Sequence, residues 1–147
     1  MSENNEKIQL LTWTIDEQLF GLDIGKCREV DRDMKITAVP HSKIFIAGIV
    51  NLRGDVVTVI DLKMLLNNDS IPTESPKNVI IRLKSESSNI AIKADRISDI
   101  LEISQDQIEP AATHLSDFET KYITHVGITD KGLVLILNSN ELLNIKD

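Results

Sequence analysis

A chain of 147 residues, 41% hydrophobic and 27% charged, has the length of one ordinary domain and enough apolar content to bury a core. Its formal charge of −7 and its lack of a clustered basic face argue against duplex nucleic acid or an anionic membrane as partner. A single cysteine, Cys27, rules out an intrachain disulfide. No run approaches the ~18 apolar residues of a membrane span, and the polar, acidic start MSENNEKIQLL does not resemble a signal peptide. These features together point to the cytoplasm.

In chain order, residues 1–7 read as a loose tail ahead of one domain over 8–147. Ile8–Ile15 (IQLLTWTI) is rich in β-branched residues, and Asp16-Glu17-Gln18 turns it back into Leu19–Ile24 as a hairpin. A short segment ending at Glu29-Val30 leads through DRDMK to the strand ITAVP, closed by Pro40. Phe45–Leu52 and Val56–Asp61 flank Arg53-Gly54-Asp55, a turn in which Gly54 supplies positive φ. Asp61 is placed to cap a helical turn over Leu62–Leu66. The polar stretch 67–77, NNDSIPTESPK, reads as an exposed connector. Val79–Leu83 and Ile90–Ala94 flank SESSN. DRISDILEIS and QDQIEP follow, and Tyr122–Thr129 and Leu133–Leu137 form a further hairpin. The end, 138–145, is expected to be a short helix with Ser139 as its cap. Short strands separated by frequent turns argue for a mainly β protein, a small barrel or sandwich.

The halves resemble each other. FGLDIGKCREV (20–30) lies over IAIKADRISDI (90–100), pairing Leu22 with Ile92, Cys27 with Ile97 and Val30 with Ile100. FIAGIV from Phe45 lies over YITHVG from Tyr122, each leading to a Gly-bearing turn, an apolar strand and a leucine pair. The offsets are 70 and 77. Two similar lobes are expected, about 15–66 and 78–137, packed along apolar faces with a groove between them, the kind of place partners occupy.

Chemistry-bearing constellations are scarce. His41, His114 and His125 lack metal-ligand spacing. Cys27 sits between Lys26 and Arg28, which could lower its thiol pKa, but a small buried hydrophobe is the commoner role. Asp95 and Asp99 are four apart without a second acid–base partner. No catalytic residue, metal or cofactor is expected. Arg53-Gly54-Asp55 spells an adhesion tripeptide and Asn68-Asp69-Ser70 a glycosylation acceptor; both belong to secreted proteins. The guanidinium of Arg53 at the tip of an apolar hairpin is either a solvated turn or a presented contact.

The run GLDIGKCREV…ITAVPHSKIFIAGIVNLRGDVVTVIDLKMLL resembles the CheW family of chemotaxis coupling proteins. The resemblance lies in the apolar–x–Glu–apolar step, the Val-Pro and the Gly-x-x-Asn-Leu-Arg-Gly preceding an apolar strand and Asp-Leu. AIKADRISDILEIS and GLVLILNSNELL extend it over about residues 9–145. The resemblance implies two five-stranded, SH3-like β-barrel lobes packed together, with short helices. It implies a non-enzymatic adaptor, recruited to membrane-associated arrays, that links the cytoplasmic tip of a methyl-accepting chemoreceptor to the regulatory domain of a histidine kinase. Other CheW-like proteins are further candidate partners. The receptor groove it implies is Cys27, Glu29, Arg53, Ala91, Ile97 and Ile100, with Gly48 and Gly54 as structural glycines beside it. Cys27 stands where the family usually has an aliphatic residue, and Ala91 where glycine is common. Kinase contacts carry no comparable motif. Rival readings are a coupler of a twitching, gliding or developmental cascade, and a ligand-binding protein or enzyme using the inter-lobe cleft.

Overall fold

The structure, a computed structural model, describes residues 6–66, 78–113, 115 and 119–145. Eleven strands among them form two sheets. They are β1 (Lys7–Ile15), β2 (Gln18–Asp23), β3 (Cys27–Arg32), β4 (Ile46–Leu52), β5 (Asp55–Asp61) and β6 (Val79–Leu83). The second half supplies β7 (Ile90–Ala94), β8 (Arg96–Ser104), β9 (Ile108–Pro110), β10 (Ile123–Thr129) and β11 (Gly132–Leu137). Two one-turn helices, α1 (Leu62–Leu66) and α2 (Ser139–Leu143), follow β5 and β11. The mainly β, two-lobed expectation holds.

One sheet has the order β8-β1-β2-β11-β10-β9 and the other β3-β6-β7-β5-β4. Apart from β9 the two orders superpose: an antiparallel run is interrupted once in each sheet by a parallel pair, β2 beside β11 and β5 beside β7. The repeat read in the sequence is therefore a repeat of structure. Bulges fall at matching places, between Cys27 and Glu29 on β3 and opposite Leu11 and Trp13 on β8, and between Ile46 and Gly48 on β4 and Ile123 and His125 on β10. The helix starts match as well. Asp61 N donates to Phe45 O and Asn138 N to Tyr122 O, both at 2.8 Å. Asp61 Oδ1 then accepts from Met64 N, and Asn138 Oδ1 from Glu141 N, both at 3.3 Å. Asp61 caps α1 as expected. The cap of α2 is Asn138, not Ser139, which is the first helical residue.

The sheets do not follow the sequence halves. One sheet is built from strands within 27–94, whereas the other joins β1 and β2 to strands from 96 onward. The boundaries 15–66 and 78–137 thus cut across both sheets. The chain passes from one sheet to the other at β2–β3 and again at β7–β8, the two segments that the repeat overlays. The expected connector 67–77 lies outside the described residues. The ITAVP strand is reduced to a single bridge, Thr37 opposite Ile49. Its counterpart is β9, where Glu109 lies opposite Val126.

Three apolar clusters hold this arrangement. The largest lies between the sheets and draws on both, with Trp13, Phe20, Ile60, Ile81, Ile92, Ile123 and Leu142 fully or almost fully buried. Each sheet has a smaller cluster on its other face, around Val57, Val59 and Ile80 in one and Leu10, Val134 and Ile136 in the other. This explains why β6, Val-Ile-Ile-Arg-Leu, is buried at every position: Val79, Ile81 and Leu83 face the shared core and Ile80 the lobe's own core. No helix among the described residues is long and apolar enough to cross a membrane.

Candidate partner-binding surface

β3 and β8 are edge strands, one in each sheet, and the sequence repeat pairs them. On the face toward the shared core, Cys27 lies opposite Leu83, and Val30 opposite Ile81. In the other sheet Ile97 lies opposite Trp13 and Ile100 opposite Leu11. Cys27 and Ile97 are half-buried against the shared core. One step along the same faces Val30 and Ile100 emerge, 37% and 51% exposed. The shared core therefore runs out to solvent along two equivalent edges. Each is an apolar edge of the kind that accepts a helix face.

Glu29 points to the opposite face of β3. The bulge there makes Glu29 the partner of Arg82 on β6, so its carboxylate stands over the lobe's own core. The β4–β5 turn closes on it. Arg53 and Gly54 both have positive φ, 53° and 88°, the geometry of a tight two-residue hairpin. Asn51 Oδ1 fixes the turn by accepting from Gly54 N at 3.0 Å. Added atoms at Gly54 would meet nothing, so its glycine is there for the turn alone. Arg53 Nε donates to Glu29 Oε2 at 2.9 Å while its side chain stays 77% exposed. The remaining guanidinium nitrogens face solvent, free to meet a partner's carboxylate or carbonyl.

The six expected groove residues thus divide between the two edge strands, the β4–β5 turn and β7. Cys27 on β3 and Ile97 and Ile100 on β8 line the two apolar edges, and Glu29, on the other face of β3, forms an ion pair with Arg53 of the β4–β5 turn. Ala91 belongs to neither. It is fully buried on β7, between Arg82 of β6 and Val59 of β5, and offers no surface to a partner. The concavity between the start of β4 and the start of β10 is lined by Lys43, Phe45, Lys121 and Tyr122, and by none of the groove residues. Gly48 is constrained from within the lobe, where a Cβ would lie 2.3 Å from the Thr37 carbonyl oxygen.

A family model described as the CheW-like domain matches residues 9–147. The chain belongs to this family. Among its relatives, the chemotaxis protein CheW of Klebsiella aerogenes is 27% identical over 139 residues, 95% of this chain and 83% of that protein. The probable chemotaxis protein CheW of Rhizobium etli is 29% identical, with 97% of this chain and 92% of that protein aligned. The crystal structure of the scaffolding protein TtCheW from Thermoanaerobacter tengcongensis superposes with a TM-score of 0.79 at 28% identity, covering 90% of each chain.

Two residues of this CheW-like surface escape a reading by motif. Val30 is the structural twin of Ile100, and the sequence repeat that aligns them is the signal that finds it. Arg82 is the second. It is 1% exposed, and its Nη2 donates to Asp55 Oδ2 at 2.8 Å and to Asn89 Oδ1 at 2.9 Å. Its Nη1 lies 3.8 Å from Glu29 Oε1. The only hint in the sequence is one cation inside the apolar run NVIIRL. The guanidinium of Arg82 holds the Asp55 carboxyl below its usual range.

Asp31, two residues along from Glu29 on the same face, behaves oppositely: burial and then the adjacent Glu29 carboxylate push its pKa up. Because the folded value lies above the unfolded one, ionised Asp31 works against folding at neutral pH, and this penalty disappears as the pH falls to the ordinary aspartate value of 3.8. Asp31→Asn is therefore expected to raise the melting temperature at pH 7 and to have little effect near pH 4. An equal shift at both pH values would contradict that assignment. Burial likewise raises the Cys27 thiol, whose Sγ donates to the Glu29 carbonyl at 3.6 Å. That is the behaviour of a packed thiol, not of a nucleophile.

Proposed function

We propose that this chain is a non-enzymatic adaptor that couples the cytoplasmic tip of a transmembrane chemoreceptor to the regulatory domain of a sensor histidine kinase in a bacterial chemotaxis array. The observation that carries the reading is the pairing on one edge strand, β3, of an exposed apolar edge with a held but solvent-facing guanidinium. That edge, Val30 backed by Cys27, and its twin on β8, Ile100 backed by Ile97, each suit the apolar face of a helix. The Arg53–Glu29 pair alongside suits a charged or carbonyl group that sets register. Relatives named as chemotaxis proteins, and a structural neighbour named as a scaffold, support the same reading. An adaptor needs no reaction: holding two partners at once raises their effective concentration for each other. The protein works in the cytoplasm and reaches the membrane through the receptor.

Arg53→His and Ile100→Glu test it by pull-down and titration with a receptor signalling fragment. Both side chains are exposed, so circular dichroism and melting should stay near wild type. Each variant is expected to weaken receptor binding about tenfold or more, or ~1.4 kcal/mol. Normal binding by both would remove the proposed groove.

A further inference from the structure

The β4–β5 hairpin is tied down by a closed circuit of alternating charge. Arg53 Nε meets Glu29 Oε2 at 2.9 Å. The other oxygen of Glu29 faces Arg82 Nη1 at 3.8 Å. Arg82 Nη2 reaches Asp55 Oδ2 at 2.8 Å, and Asp55 lies two residues beyond Arg53 in the same hairpin. The circuit spans the sheet, because β6 and β5 are separated by β7. Arg82 can cross only because the β7 residue paired with it is Ala91, whose side chain ends at Cβ. Asn89, just before β7, accepts from the same Nη2 at 2.9 Å.

Burying a guanidinium is costly, and an apolar residue of similar volume would serve the lobe's core at least as well. Arg82 therefore contributes geometry that the core does not require. Among the described residues, Glu29 Oε1 and Arg82 Nη1 are buried without a hydrogen-bond partner, so the two face each other as charges alone. Their attraction holds Glu29 at the height where its second oxygen meets Arg53.

We infer that Arg82 is a positioning residue: by bracing Glu29 and Asp55 from beneath the sheet, it fixes the direction in which Arg53 is presented to a partner. The inference rests on Arg53 as a receptor contact, the role argued above. With Arg82 in place, the exposed guanidinium is restrained at both ends of its turn and loses little rotational freedom on binding. Without it, Glu29 and Asp55 relax toward water and Arg53 samples several directions.

The experiment uses the full chain and two readouts. Arg82→Met keeps the buried volume, Asp55 and Asn89 already reach solvent, and Glu29 keeps Arg53 as a partner; some stability is lost with the Glu29 contact, so circular dichroism first establishes that the variant is folded. The Arg53 side-chain Nε–Hε resonance should move toward the position of a free arginine and sharpen, and affinity for a receptor signalling fragment should fall at least fivefold. In an Arg53→His background the same substitution should cost no further affinity, since the two residues act as a unit. An unchanged Arg53 resonance in Arg82→Met would overturn the inference, as would an equal loss of affinity in both backgrounds. If Arg82→Met does not fold, Asp55→Asn, a surface change that removes one anchor, is read the same way. Wild-type affinity in Arg53→His would sink the receptor reading instead, while the resonance would still decide whether Arg82 orients Arg53.

Discussion

Replacing Gly48 with alanine is expected to destabilise the whole fold, with a loss of about 2–6 kcal/mol from backbone strain and overpacking combined. Gly48 occupies the bulge on β4 at φ 148°, a region that side-chain-bearing residues rarely adopt. The new Cβ would sit 2.3 Å from Thr37 O and 2.8 Å from both Thr37 C and Ile36 Cγ2. Two of those three atoms are backbone, so no rotamer change relieves the contact. Thr37 cannot back away either, because its amide and carbonyl are bonded to Ile49 at 2.9 and 2.8 Å. A domain of this size has only about 5–15 kcal/mol in hand. Urea denaturation should therefore show a large drop in midpoint or no folded baseline at all, and a loss under about 1 kcal/mol would contradict this account. The receptor binding proposed for this chain would fall too, but as a consequence of unfolding, which separates Gly48 from Arg53.

The second large effect is expected at Trp13. It is fully buried in the core shared by the sheets and lies 6.4 Å from the Phe20 ring in a stacked arrangement. Trp13→Ala should cost about 3–5 kcal/mol. The shared core makes a further demand, that both sheets melt together. Amide hydrogen exchange on β6 and on β11 should accelerate by similar factors in the variant, and the thermal transition should remain single. If β6 keeps its protection while β11 loses it, the lobes are energetically separate and the shared core is not what joins them.

Much of this could be read from the residues, for identifiable reasons. Gly54 announces a hairpin because glycine takes positive φ freely, whereas nothing in the sequence signals the positive φ of Arg53. The repeat held because each lobe reuses the same bulges and caps, which impose local requirements on sequence. What local pattern cannot carry is which strand closes which sheet. β2 pairs with β11 across more than a hundred residues, and alternation of apolar residues looks the same whichever sheet a strand joins. The lobe boundaries failed for that reason. Ala91 was misplaced because a small residue in a strand signals a close approach without saying whether a partner or the protein's own Arg82 makes it. Ser139 and Asn138 are both good caps, and only the bond from Asn138 N to Tyr122 O decides between them.

The crossover of strands between sheets has a consequence for how the protein is made. As the chain leaves the ribosome, the segment from β3 to β7 can assemble its sheet as soon as residue 94 has emerged. β1 and β2 come out first yet must wait for β11, on the order of ten seconds at ordinary elongation rates. During that interval the nascent chain exposes a hairpin carrying Trp13 and Phe20, so two of the largest core side chains are held in water until the strand that closes their sheet arrives.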